Sequence, residues 1–163
     1  MIIIADSVRK IEFHKLILLC ADEIEQTRIR RYKKYSIQQG LFQAESDFYH
    51  YLKSSFFAVG GLYFIYEHDD RYVSAVRLEP YERGVLLNSL ITKLEMRRNG
   101  YAEKLLHYAL AYFEKTIVYS HVHVHNKPSR ALHEKMGFKL SLEYARLLDG
   151  SLCNDYLTYV KYV

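Results

Sequence analysis

Two periods of hydrophobic spacing alternate along this chain, and each period predicts a different element. The β-branched run Ile2–Ile4 predicts a short strand. The apolar spacing then favours a helix over Val8–Cys20, a charged helix over 22–35, and further helical residues over 47–54. The first third of the chain is therefore expected to be one strand followed by helices.

The centre of the chain has the period of two that is typical of strands. Residues 61–80 predict two strands around a turn at 68–71, and a second turn ending at Gly84 leads into a third strand, Val85–Thr92. Because such short turns join antiparallel neighbours, these three strands are expected to form a meander.

The period changes again beyond Thr92. Five apolar positions spaced as i, i+3, i+4, i+7 and i+11 share one helix face: Ala102, Leu105, Leu106, Ala109 and Phe113. Residues 117–124 then alternate as a strand, and Pro128 and Gly137 frame a short helix. Residues 138–147 and 154–163 predict two closing strands, joined by the turn Leu-Asp-Gly-Ser.

The order of predicted elements is β-α-α-β-β-β-α-β-α-β-β, with the helical residues 47–54 placed before the meander. The unit from Val85 to Val124 is a strand, a loop, a helix and a strand, which predicts a right-handed parallel crossover. The fold class is therefore α/β, with a central mixed sheet flanked by helices. The length of 163 residues and the lack of a linker predict a single domain over 1–163.

The composition narrows the function classes. The formal net charge of +4 suits an anionic ligand, but it does not by itself indicate a nucleic acid partner, and we expect none. Cys20 and Cys153 form no C-x-x-C pair and are expected to be reduced. The first residues do not form a signal peptide, and no apolar run reaches the ~20 residues of a membrane span, so no membrane contact and a cytoplasmic location are expected.

The loop before the long amphipathic helix has the features of an anion cradle. Residues 97–102 read Arg-Arg-Asn-Gly-Tyr-Ala and lie between a strand and a helix start, where backbone amides lack internal acceptors. Gly100 and Ala102 would let a phosphate approach closely, and Arg97 and Arg98 add positive charge. The loop lacks the three glycines of a dinucleotide fingerprint, so a glycine turn with two solvated arginines stays an alternative.

Three histidines alternate along the strand that follows this helix: His121, His123 and His125. Alternate strand positions face the same side, and H-x-H is a workable zinc pair, which would fit a metal-dependent hydrolase. Zinc needs a third ligand with outer support, and no further His or Cys cluster is apparent in the sequence. We therefore expect no metal here.

Two motifs give a family resemblance. The pattern R-x-x-G-x-A at 97–102 resembles the acyl-CoA-binding motif of the GCN5-related N-acetyltransferases (GNAT). The segment Asn-Lys-Pro-Ser-Arg-Ala-Leu-His-Glu-Lys-Met-Gly-Phe at 126–138 is similar to that family's N-x-x-S/A-x-x-L-Y/H-x-K-x-G-F segment. One helix and one strand separate the motifs, as in the family, and the resemblance covers about residues 85–140.

The resemblance implies that acetyl-CoA is the co-substrate. The strands 85–92 and 117–124 would splay apart, with the pantetheine arm in the gap and one amide there polarising the thioester. The residues that the resemblance places at the cofactor are Leu90, Ile91, Thr92, Arg97, Arg98, Asn99, Gly100, Tyr101, Ala102, Asn126, Ser129 and His133.

The resemblance also implies direct attack of a primary amine on the thioester. His133 occupies the position of a tyrosine that in much of the family protonates the leaving thiolate, and it could instead simply pack. Asn88 stands on the strand where the family often has a glutamate base, so it could position the substrate or a water but not take a proton. Glu79, His121 and His123 are the remaining candidates for the base.

That departure leaves an alternative, a catalytically weak or inactive acetyl-CoA-binding module of the same fold. The acceptor is open, and it could be a small molecule, a peptide or a protein. The sequence also leaves open whether the chain forms a homodimer.

Overall fold

The computed structural model describes all 163 residues. Nine strands are present: β1 Ile2–Ala5, β2 Leu62–His68, β3 Arg71–Tyr81, β4 Gly84–Thr92, β5 Ile117–His123, β6 Lys139–Leu142, β7 Ala145–Arg146, β8 Leu152–Cys153 and β9 Tyr156–Tyr162. Five α-helices accompany them: α1 Phe13–Leu19, α2 Ala21–Arg31, α3 Ile37–Tyr51, α4 Tyr101–Ala111 and α5 Lys127–Lys135. None of these helices combines the length and apolar character that crossing a membrane requires.

Seven strands form one mixed sheet in the order β1-β2-β3-β4-β5-β9-β6. Only β4 and β5 are parallel, and α4 connects them, so the predicted parallel crossover is confirmed. The predicted meander of β2, β3 and β4 is confirmed as well. The α/β class with a mixed sheet follows directly from this arrangement.

Each face of the sheet has its own core, as the alternation of strand side chains requires. On one face Phe64, Leu87 and Val118 pack against α4 and α5. On the other face Tyr63 and Ile65 pack against α1, α2 and α3. A fully buried side chain of this size contributes roughly 1.5–3 kcal/mol, so both helical layers are held to the sheet mainly by apolar burial.

Four predicted elements differ from the structure. The helix predicted over Val8–Cys20 is divided into a 3-10 turn over Val8–Lys10 and α1, which begins only at Phe13. The helical residues predicted over 47–54 are the end of α3, which begins at Ile37 after the cap Ser36 and continues through a π-turn over Leu52–Phe56. The charged helix ends at Arg31 rather than at residue 35. The strand predicted over 138–147 is divided into β6, which pairs with β9, and β7, which pairs with β8 in a small second sheet.

The parallel strands β4 and β5 are close at one end and apart at the other. Gly84 lies so near β5 that a Cβ there would come within 1.9 Å of the Ile117 carbonyl oxygen. The two strands pair only through Val85–Leu87 and Val118–Ser120, and the pairing stops where β4 begins to bulge. The sheet therefore opens into a fork between β4 and β5.

Candidate active site

A β-bulge on β4 lies where the fork opens. Asn88 faces Arg77 and Ile91 faces Ala75, so Ser89 and Leu90 stand opposite a single residue of β3. Ser89 has a φ of 48°, in the left-handed region that residues other than glycine rarely adopt. Such bulges redirect a strand locally, and this one turns the end of β4 away from β5.

The bulge leaves part of the β4 backbone facing the gap. The Lys93 amide donates to the Val73 carbonyl at 2.9 Å, which fixes the alternation of the β3–β4 ladder. By this alternation the backbone groups of Leu90 and Thr92 point away from β3 and into the fork, whereas those of Ile91 face β3. An extended ligand in the fork would therefore meet the Leu90 and Thr92 backbone first.

The anion cradle predicted at residues 97–102 lies at the open end of the fork. Gly100 has a φ of 77° and directly precedes α4, and no side chain caps this helix end. The first bond into the helix is from the Lys104 amide to the Gly100 carbonyl, so the amides of Tyr101, Ala102 and Glu103 have no acceptor inside the helix. A Cβ on Gly100 would meet nothing within 4 Å, which leaves the space that a pyrophosphate needs.

The side chains of this loop stabilise the loop itself. The Arg97 Nε donates to the Thr92 carbonyl at 3.1 Å, and the Asn99 Nδ2 donates to the carbonyls of Met96 and Arg97 at 3.2 Å. The Tyr101 ring turns away and packs against Tyr66. The backbone amides, with the exposed Arg98 nearby, are thus the groups that remain available to an anion.

The second predicted segment begins α5. The Asn126 Oδ1 accepts from the Ser129 amide at 3.2 Å and caps the helix, with Pro128 in its first turn. This cap explains why Asn126 stands there, and it occupies the side-chain oxygen of that residue. The predicted contacts of Asn126 and Ser129 with the cofactor stay predictions.

His133 is only 1% exposed and is hydrogen-bonded at both ring nitrogens. Nδ1 is 2.7 Å from the Ser129 carbonyl oxygen, which can only accept, so Nδ1 carries the proton. Nε2 is 2.8 Å from the Ser120 Oγ and accepts from it. Burial lowers the pKa of His133, which keeps the ring neutral. This geometry favours packing over the acid role that the family position predicts.

A cleft of about 460 Å³ lies on the other face of the fork. Three elements and one loop form its walls. Strand β4 contributes Leu86, Leu87 and Asn88, β5 contributes His121, β9 contributes Tyr156, and the loop between β7 and β8 contributes Leu147, Leu148 and Asp149. This is where a second substrate can reach the fork from the side opposite α4 and α5.

One sequence-predicted candidate for the base, His121, lines this cleft, and a second, Glu79, is buried behind the lining residue Asn88. The Asn88 Nδ2 donates to the Glu79 Oε1 at 3.3 Å, and the Glu79 side chain is buried behind it. His121 lines the cleft, and burial lowers its pKa below the ordinary 6.5. Its Nε2 is buried and has no hydrogen-bond partner, so the neutral ring can take a proton there from a group that reaches into the wall of the cleft.

His123 is farther along the same strand. Its Nδ1 accepts from the His125 amide at 3.2 Å, and its ring packs against Tyr156.

Three carboxylates elsewhere in the fold, those of Glu12, Glu67 and Asp70, lie close enough to share an ion. The ammonium group of Lys15 is 2.8, 2.9 and 2.5 Å from them, which explains why they converge.

Sequence reasoning missed two features of this site. The first is the contact between Ser120 and His133, which joins β5 to α5 on the face of the sheet that α5 covers. The second is Arg77, a charged residue between the apolar residues Val76 and Leu78 of β3. A charge within a central strand was the available signal for the second, because such residues are rarely buried without a reason.

The model of the acetyltransferase (GNAT) family matches residues 21–138, well over half of the chain. The chain belongs to the GNAT family. This confirms the resemblance found in the two motifs and makes the protein an acetyltransferase. No curated protein sequence matches it significantly.

Solved GNAT structures share the fold at low sequence identity. The PaiA N-acetyltransferase of Thermoplasma acidophilum, in complex with coenzyme A, has a TM-score of 0.68 at 16% identity, over 100% of this chain and 99% of that one. An N-acetyltransferase from Staphylococcus aureus Mu50 has a TM-score of 0.60 at 16% identity, over 99% and 98%. The ribosomal-protein-S18-alanine N-acetyltransferase of Escherichia coli has 0.56 at 18% identity, over 73% and 76%.

Proposed function

We propose that this GNAT protein transfers an acetyl group from acetyl-CoA to a primary amine, by direct attack of the amine on the thioester. The main support for the proposal is that the fork between β4 and β5 leads directly to the cradle at residues 97–102. Residues 90–102 run from the amides that face the gap to the uncapped start of α4, so one extended ligand could occupy both. The PaiA enzyme, which has the same fold, was solved with coenzyme A.

The chain offers suitable groups for each part of that ligand. The amides from Arg98 to Ala102 would hold the pyrophosphate at the positive end of α4. The backbone of Leu90 and Thr92 would bond the pantetheine arm. The Leu90 amide, at the bulge, would donate to the thioester oxygen as negative charge develops there.

The amine would enter through the cleft beside β4. Acetyl-CoA supplies a carbonyl carbon to which the amine nitrogen bonds as the C–S bond breaks. His121 would take the proton that the nitrogen loses, since its neutral ring lines this cleft. Asn88, held by Glu79, would orient the amine. His133 has no free proton to give, so the departing thiolate would be protonated from water.

The proposal is tested by following thiol release from acetyl-CoA with a panel of primary amines. We expect release that depends on both the amine and the protein. CoA binding with no turnover on any amine of the panel would contradict the enzyme and support the alternative, an acetyl-CoA-binding module.

A further inference from the structure

Arg77 is a buried cation without a counter-ion. Its side chain projects from the central strand β3 towards α3, and the residue is 8% exposed. No carboxylate lies within ion-pair distance of it, and its Nε has no hydrogen-bond partner. One terminal nitrogen donates to the Ser89 hydroxyl, and the guanidinium lies against the rings of Tyr51 and Phe56, at 5.3 and 5.9 Å.

This arrangement is costly for a protein that binds nothing there. A buried charge loses its hydration, and this destabilises the folded state unless a partner compensates it. The two aromatic faces offset part of that loss, because the ring quadrupole attracts a cation. The hydroxyl of Ser89 is a neutral acceptor. No carboxylate of the protein contacts the guanidinium directly, and a planar anion paired with it would supply that contact.

Arg77 lies directly behind the wall of the cleft. It faces Asn88 across the β3–β4 ladder, so the two side chains are on the same side of the sheet, and Asn88 is a wall of the cleft. Its hydrogen-bond partner Ser89 is the residue at which β4 bulges into the fork. The cation is therefore next to the point where the amine would meet the thioester.

Glu79 is a second buried charged side chain beside Arg77. Glu79 is two residues along β3, on the same face, and is 4% exposed. Its only side-chain partner is the Asn88 amide. Alternate strand residues are separated by about 6.6 Å, so Arg77 and Glu79 present a buried positive and a buried negative group side by side. An acceptor with an ammonium and a carboxylate group would pair with both.

We propose that the acceptor is an amine that also carries a carboxylate, of amino-acid size, with its carboxylate bound by Arg77 and its amino group directed to Glu79 and Asn88. This assignment of the substrate class rests on the proposed function. It predicts that the protein distinguishes an amino acid from the corresponding carboxamide, which is neutral at that end.

The test compares glycine, β-alanine and γ-aminobutyrate with their carboxamides as acceptors. For at least one pair, kcat/KM is expected to favour the acid by about tenfold or more, which corresponds to about 1.4 kcal/mol. In Arg77→Met that ratio falls to about one, and in Arg77→Lys, which keeps the charge, part of it is retained. Equal use of acids and carboxamides by the wild type, or an unchanged ratio in Arg77→Met, would overturn the proposal.

A binding measurement separates this inference from the proposed function. N-acetyl-γ-aminobutyrate should raise the melting temperature of the CoA-loaded wild type more than its carboxamide does, and the difference should vanish in Arg77→Met. That result without turnover would support the anion site while contradicting the enzyme. Turnover of carboxamides alone, with no such stabilisation, would support the enzyme and refute the anion site. Arg77→Met without ligand should melt no lower than the wild type, because it removes an unpaired buried charge.

Discussion

The Ser120–His133 contact allows the packing role of His133 to be tested against the catalytic one. Ser120→Ala removes the hydroxyl that donates to the His133 Nε2 and leaves that nitrogen buried without a partner. An unsatisfied buried acceptor costs roughly 1–3 kcal/mol. For a chain of this length that free energy lowers the melting temperature by about 2 to 12 °C. If His133 only packs, kcat changes by less than about twofold.

The assay measures thermal unfolding and thiol release on the same preparations. Ser129→Ala is the matched control, because the Ser129 hydroxyl is 3.4 Å from the His133 Nδ1 and that nitrogen already donates to a carbonyl. We expect little change in the melting temperature of that variant. A fall in kcat of tenfold or more in Ser120→Ala, with an unchanged melting temperature, would refute the packing role and place His133 in proton transfer.

Two further predictions concern the base and the fork. Because burial lowers the pKa of His121, the limb of kcat/KM that belongs to the protein should lie below the ordinary 6.5 of a histidine, separate from the limb that the ionisation of the acceptor amine adds at higher pH. In His121→Gln the rate should be lower and the protein's limb absent, while the limb of the amine stays; a protein limb unchanged in that variant would exclude His121 as the base. Gly84→Ala would place a Cβ against the Ile117 carbonyl, so we expect the free energy of unfolding to fall by at least the roughly 1–3 kcal/mol of an overpacked site, and CoA to bind more weakly. Denaturant unfolding and CoA titration measure these two effects. Unchanged stability would contradict the close approach of β4 and β5 at this end of the fork.

Local sequence patterns predicted the cradle and the crossover because the residues that form each of them are consecutive in the chain. A helix that starts after a glycine, with an amphipathic face behind it, is recorded in consecutive residues such as Gly100 to Leu106. The start of α3 was missed although its signal is local, because Ser36 and Gln39 have the spacing of a capping box and the Ser36 hydroxyl accepts from the Gln39 amide. Gly40 interrupts its helical pattern, and only the folded chain shows that a Cβ there would clash with the Arg28 side chain.

Side-chain pairs that cross elements were also beyond local patterns. Ser120 and His133 belong to different elements, and no periodicity relates a strand serine to a helix histidine. The same holds for Arg77, whose contacts with Tyr51 and Ser89 join three elements. The family motif gave His133 its position, but only the surrounding burial showed that both of its nitrogens are already bonded.

The measurement that tests the central claim most directly is a CoA titration of the wild type, Gly100→Asp and Gly150→Asp. Both glycines have a positive φ and open space around a new Cβ, so the two substitutions impose the same backbone strain, and only Gly100 is in the cradle. We expect Gly100→Asp to raise the Kd for CoA at least tenfold, about 1.4 kcal/mol, and Gly150→Asp to leave it within about twofold. Equal CoA affinity in all three proteins would contradict the cofactor site at the start of α4.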